Sequence, residues 1–191
     1  RQVPIRDYED LRPYIEGIIQ GETDLLWPGR PIYFAKTSGT TSGIKYIPIT
    51  RDSIPNHIGN ARSALFNITS RLSLQNLFDG KVLFLSGSPV LEKKGVIPTG
   101  RLSGIVNHWF PAWLRSNQLP SFETNCIEDW EVKVDKIARE TLHSDMRIIG
   151  GIPPWVQMYY ERVLALSGKS TIKEVFPNLQ LFVYGGVNYE P

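Results

Sequence analysis

The residues best suited to chemistry form one run, Lys36-Thr37-Ser38-Gly39-Thr40-Thr41-Ser42-Gly43-Ile44-Lys45. Five hydroxyl side chains and two glycines fall between Thr37 and Gly43, and a lysine flanks each side. Hydroxyls and free backbone N–H groups can surround phosphate oxygens from several directions, and glycine lets the backbone approach closely or take a positive φ. A lysine ammonium then offsets phosphate charge. Charge-assisted contacts of this kind are worth roughly 1.5–3 kcal/mol each, so a few suffice to hold a triphosphate. By composition alone the run is an ordinary surface turn rich in Ser, Thr and Gly. Its order favours a phosphate loop: it follows the apolar strand Ile32-Tyr33-Phe34-Ala35, keeps both glycines and ends in lysine. The Walker pattern G-x-x-x-x-G-K-[ST] does not fit. Gly39 and Gly43 are too close, Ile44 precedes Lys45, and Tyr46 stands where Ser or Thr belongs.

The elements around this run follow from periodicity. Asp7 to Gln20 carries Tyr8, Leu11, Ile15, Ile18 and Ile19 at near-helical spacing. Pro13 predicts a break or a restart there. Trp27 to Pro31 is turn-rich. A helix is expected from an N-cap at Thr50 to about Leu72, with Pro55 in its first turn. Lys81 to Gly87 and Met146 to Gly151 are compact apolar runs ending in glycine, as buried parallel strands do. Residues 127–142 place Val134, Ile137, Ala138 and Thr141/Leu142 on one helical face. Pro153-Pro154 opens the next helix. Leu179 to Tyr184 is a strand ending at Gly185-Gly186. Residues 87–125, crowded with Gly, Pro, Trp109, Phe110 and Trp113, define no clear element. The alternation of strand and helix predicts an α/β fold, with a mainly parallel sheet flanked by helices. Ligands of such sheets gather at the carboxyl ends of the strands, where these glycines sit.

The run Ser38-Gly39-Thr40-Thr41-Ser42-Gly43-Ile44-Lys45 resembles the phosphate loop of the luciferase-like adenylate-forming superfamily. Phe34 to Thr41 is similar to the version in the auxin-responsive acyl acid amido synthetases of plants and their bacterial relatives. So are Val3-Pro4-Ile5, Tyr8-Glu9, Leu11, Gly21-Glu22, Leu26-Trp27-Pro28, Gly87-Ser88-Pro89 and Gly151-Ile152-Pro153. The resemblance spans nearly the whole chain. It implies a ligase that uses ATP and Mg2+ to turn a carboxylic acid into an acyl-adenylate, which an amino acid then attacks to give an amide. It further implies that Ser38, Thr40, Thr41 and Ser42, with the backbone of Gly39 and Gly43, hold the phosphates while Lys45 balances their charge. Gly185, Gly186 and Val187 match the segment that lies against the nucleoside, although a glycine pair also simply ends a strand. An acyl-CoA ligase of the same superfamily and a non-catalytic nucleotide-binding module are the alternatives.

Arg1 is not Met, and the chain stops at Tyr189-Glu190-Pro191 just beyond a strand. We therefore expect residues 1–191 to be part of the large N-terminal adenylating domain, with later nucleotide motifs and a C-terminal domain outside it and little turnover alone. Partners are expected to be a carboxylic acid and an amino acid, not nucleic acid or membrane. The 21 basic and 19 acidic residues give a net charge of only +2 and no basic stripe. Glu92-Lys93-Lys94 reads as solvated loop or helix surface. No signal peptide or span-length apolar run is present, and the default setting is a reducing cytoplasm.

Other candidates are weaker. Cys126 is the only cysteine, which leaves no intrachain disulfide, and inert burial is the expectation. His57, His108 and His143 stand singly, without metal-ligand spacing. His108 has no Ser or Asp arrangement around it, and no G-x-S-x-G elbow occurs. Of the tryptophans at 27, 109, 113, 130 and 155, Trp155 is the best candidate for an acyl pocket, but all five read first as core aromatics. Arg101 suits a substrate carboxylate, though a surface loop is the simpler reading.

Overall fold

The computed structural model describes residues 4–37, 43–109 and 111–186. In chain order these form α1 (Tyr8–Gln20), β1 (Tyr33–Lys36), β2 (Tyr46–Ile49), α2 (Ile54–Arg71), β3 (Lys81–Phe84), β4 (Glu92–Lys94) and β5 (Ile97–Gly100). There follow α3 (Leu102–Asn107), a 3-10 helix (Ala112–Asn117), β6 (Gln118–Leu119), α4 (Phe122–Asn125) and α5 (Trp130–Thr141). The last elements are β7 (Met146–Gly151), α6 (Pro153–Ser167), α7 (Ile172–Val175) and β8 (Leu181–Tyr184). The chain divides into two compact units, Arg1–Arg62 with Pro89–His108, and Ser63–Ser88 with Trp109–Pro191.

The first unit holds a mixed four-stranded sheet in the order β2-β1-β5-β4. β1 runs antiparallel to β2 and parallel to β5, and β5 runs antiparallel to β4. Successive side chains of a strand face opposite ways, so β1 serves two clusters. Phe34 packs with Ile15 and Ile18 of α1 and with Ile97, whereas Ala35 packs with Ile49, Ile54 and Ile105. Fully burying a ring such as Phe34 contributes about 1.5–3 kcal/mol.

Helix α1 passes through Pro13 without breaking. Asp7 and Asp10 form a capping box at its start, and Ile15 and Ile18 bury its inner face. Glu9 and Pro13 are both exposed, so the carbonyl that proline leaves without a helical donor lies on the solvent side. The expected N-cap is displaced as well. Thr50 and Ser53 exchange backbone-to-hydroxyl bonds in a turn, and the helix begins at Ile54.

The second unit holds the all-parallel sheet β6-β3-β7-β8. Leu83 and Ile149 join Val134, Ile137 and Ala138 of α5 and Val156, Tyr159 and Val163 of α6 in one core. Val82 and Ile148 face the other way, toward Leu77 and Leu114. Both faces are covered, as the continuous apolar runs predicted. The α/β class with a parallel sheet flanked by helices is therefore present. The single sheet anticipated for the chain is in fact two.

Three readings change. Glu92-Lys93-Lys94 is strand β4 rather than loop or helix, with Glu92 and Lys93 exposed as expected and Glu92 paired with Lys36 at 2.8 Å. Trp109 and Trp113 are exposed rather than core; Trp113 lies on the 3-10 turn with its ring edge against Phe78 at 5.6 Å. Cys126 is half-buried, not enclosed.

Candidate functional site

The glycine- and hydroxyl-rich run spans a hairpin. β1 and β2 pair out to Lys36 and Tyr46. Beyond them the N–H of Thr37 donates to the carbonyl of Lys45 at 3.0 Å, and the N–H of Lys45 donates to the Thr37 hydroxyl at 3.2 Å. The base of the loop is thus closed by two bonds. Ser38, Gly39, Thr40, Thr41 and Ser42 lie outside the described residues. At the exit Gly43 has φ 76°, and no atom crowds the place of a Cβ. Glycine is needed there for backbone conformation, not for room.

The two flanking lysines differ. Lys36 is half-buried and paired with Glu92. Lys45 has no carboxylate partner among the described residues; its ammonium lies 5.3 Å from the centroid of the Tyr8 ring. Tyr8 Oη in turn accepts from the Tyr46 N–H at 2.8 Å. Helix α1 therefore fixes the second strand of the hairpin and seats its cation on an aromatic face, which orients a charge without cancelling it. Arg12 lies 5.9 Å from the same ring, with a nitrogen 2.9 Å from Glu9. Sequence reasoning matched Tyr8 to a family pattern but gave it no role. Its position one turn before Arg12 on an amphipathic helix was the available signal.

Of the remaining predicted residues, Gly185, Gly186 and Trp155 belong to the second unit, at the carboxyl edge of its sheet, and Arg101 and His108 belong to the first. Tyr184, the last residue of β8, is in register with Gly151. Gly185 and Gly186 follow it, exposed, with Gly186 at φ 86°. Val187 lies outside the described residues. Trp155, in the first turn of α6, is half-buried and stacks on Trp130 with ring centroids 4.3 Å apart. The Trp130 indole N–H donates to the sulfur of Met158 at 3.2 Å. Arg101 is exposed at the start of α3. His108 Nε2 lies 2.8 Å from the carbonyl of Pro89.

The same edge holds a buried lysine that sequence reasoning missed. Lys133 is 2% exposed, and its ammonium donates to the carbonyls of Ser86 at 3.0 Å and Asn125 at 2.7 Å. Desolvation lowers its pKa from 10.5 to about 8, an effect that the neighbouring Cys126 opposes. It ties the turn after β3 to the end of α4. A signal was present, since Lys133 lies on the same helical stripe as Ile137 and Thr141 at i, i+4 and i+8. Among the described residues no group of three or more His, Cys, Asp or Glu is placed to hold a metal. No helix among them is long and apolar enough to cross a membrane.

The first unit carries the β1–β2 hairpin on a mixed sheet, and the second carries an all-parallel sheet flanked by helices, an α/β arrangement. The profile of the GH3 family N-terminal domain matches residues 1–118, and the chain belongs to that family. It is 36% identical over 85 residues to the indole-3-acetic acid-amido synthetase GH3.15 of Arabidopsis thaliana. It is 49% identical over 53 residues to the indole-3-acetic acid-amido synthetase GH3.10 of the same plant. These stretches cover 44% and 27% of this chain, but only 14% and 9% of the relatives. The solved GH3.15 acyl acid amido synthetase superposes with a TM-score of 0.70 at 16% identity, over 94% of this chain and 41% of its own. A structure of AtGH3.15 in complex with 2,4-DB gives 0.62 at 20% identity, over 87% and 31%.

Proposed function

We propose that this chain forms part of the nucleotide-handling region of an ATP-dependent acyl acid amido synthetase. Membership of the GH3 family supports the reading, as do the hairpin base closed between Thr37 and Lys45 and a Lys45 ammonium with no carboxylate partner among the described residues. Ser38, Thr40, Thr41, Ser42 and the backbone of Gly39 and Gly43 hold the phosphates, and Lys45 balances their charge. Gly185, Gly186 and Val187 are assigned to the nucleoside, and Trp155 to the wall of an acyl pocket. ATP enters with Mg2+, which its phosphates carry in large part.

In the reaction a carboxylate oxygen of the acid attacks the α-phosphorus of ATP. The bridging bond to the β-phosphorus breaks, and its electron pair leaves with pyrophosphate. The amine of an amino acid then attacks the acyl carbon, a C–N bond forms, the bond to AMP breaks, and a proton is lost from nitrogen. The contribution of the loop is electrostatic, with preorganised donors directed at charge that moves from the α-phosphate onto pyrophosphate.

The carrying observation is the unlike state of the two lysines, Lys36 spent on Glu92 and Lys45 held on a ring. The test is calorimetric titration of the full-length protein with Mg-ATP, beside Thr40→Val and Lys45→Ala, followed by ATP–pyrophosphate exchange over a panel of carboxylic acids. Tight binding lost in both variants and acid-dependent exchange are expected. Unaltered binding in both variants, or no exchange with any acid, overturns the reading.

A further inference from the structure

Next to Gly43 and Ile44 the first unit opens into a groove of about 360 Å³, lined on one side by α1 and on the other by Tyr46 and by Lys94 of β4. We propose that this groove is a second anion site, which takes inorganic pyrophosphate as it leaves the loop, with Lys94 as its principal cation. The proposal rests on the adenylation reading for the source of its ligand, but not for the chemistry of the site.

The charges around the loop carry the argument. Lys36 is neutralised by Glu92, and Arg12 is tied to Glu9. Lys45 and Lys94 instead rest on aromatic faces, Lys45 over Tyr8 at 5.3 Å and Lys94 over Tyr46 at 5.2 Å. Neither has a carboxylate partner among the described residues, so each presents a nearly whole positive charge. The two rings are joined by the bond from the Tyr46 N–H to Tyr8 Oη, and the Tyr46 ring is held edge-on by the fully buried Phe34 at 6.1 Å. Two cation seats thus share one rigid base, which lowers the entropic cost of converging on a ligand. Glu16 is the only carboxylate among the described lining residues, and with Arg12 tied to Glu9 it is balanced by Lys94, so the excess positive charge comes from Lys45, over the ring of the lining residue Tyr8. The groove reaches Gly43 and Ile44, the described residues that follow the loop.

The test is calorimetric titration of the full-length protein with inorganic pyrophosphate and, separately, with Mg-ATP, comparing Lys94→Gln and Lys94→Arg. Removing one charge-assisted contact should weaken pyrophosphate about tenfold in Lys94→Gln. ATP binding should change less than about twofold, and Lys94→Arg should restore most of the pyrophosphate affinity. Equal losses for both ligands would make Lys94 an ordinary part of the ATP site and overturn the proposal. Unchanged pyrophosphate binding, or none in the unaltered protein, also overturns it. Failure of the adenylation reading is distinct: there ATP–pyrophosphate exchange is absent with every acid, whatever residue occupies position 94.

Discussion

The phenolic oxygen of Tyr8 accepts a hydrogen bond from the backbone N–H of Tyr46 at 2.8 Å. β2 is an edge strand, and Tyr46 turns its N–H away from β1. Without Tyr8 that donor has no protein partner, in a place only partly open to water. Tyr8→Phe keeps the ring beneath Lys45 and removes only the acceptor. It should lower stability by about 1 kcal/mol in denaturant unfolding, with a smaller effect on ATP affinity than Lys45→Ala. Tyr8→Ala, which also removes the cation's seat, should weaken both.

Lys36→Ala and Lys45→Ala make a matched pair. Because Lys36 is already paired with the largely exposed Glu92, its loss should cost at most about 1 kcal/mol of stability and weaken ATP no more than about threefold. Loss of Lys45 should weaken ATP at least tenfold with little change in unfolding midpoint. Calorimetry and thermal melts on both variants read the contrast.

Gly95 turns the β4–β5 hairpin at φ 61°, and a Cβ there would collide with the carbonyl of Ile19. Neither problem is relieved by moving a flexible side chain. Gly95→Ala should destabilise by more than about 1 kcal/mol, visible in denaturant unfolding. Gly43→Ala meets only the positive φ and should be milder.

Burial of Lys133 predicts an alkaline signature. Its folded pKa of about 8 lies below the ordinary 10.5, so between those values the unfolded chain binds a proton that the folded chain does not. Its contribution to stability therefore rises with pH across that window and is constant below it. The difference in unfolding free energy between the natural protein and Lys133→Met should grow by roughly 3 kcal/mol from pH 8 to 10.5. A flat difference would mean that the ammonium is not desolvated as its setting requires.

What could be read in advance followed from signal length. β3, β7 and β8 are apolar runs ended by glycine, and the faces of α5 and α6 repeat over several turns, so periodicity recovered them. In the first unit's sheet β1 was legible as residues 32–35, but β4 and β5 were not, because β4 has three residues, all charged, and β5 carries Pro98. Their membership depends on pairing that no local pattern encodes. The loop was evident from residue order, but the split between Lys36 and Lys45 depended on Glu92, 56 residues away from Lys36. Lys133 lay on a readable stripe, but no local pattern marks the carbonyls of Ser86 and Asn125 that hold its ammonium.

The loop leads into β2 rather than into a helix. A loop that opens a helix places its anion at the positive end of an aligned peptide dipole, which stays in place whatever happens to nearby side chains. A hairpin has almost no such field. On the proposed function, the positive charge offered to phosphate is then carried largely by lysine side chains, which salt can screen and acylating reagents can neutralise. Anion binding here should fall steeply with ionic strength and disappear when lysines are acetylated, responses that a dipole-based site would largely resist.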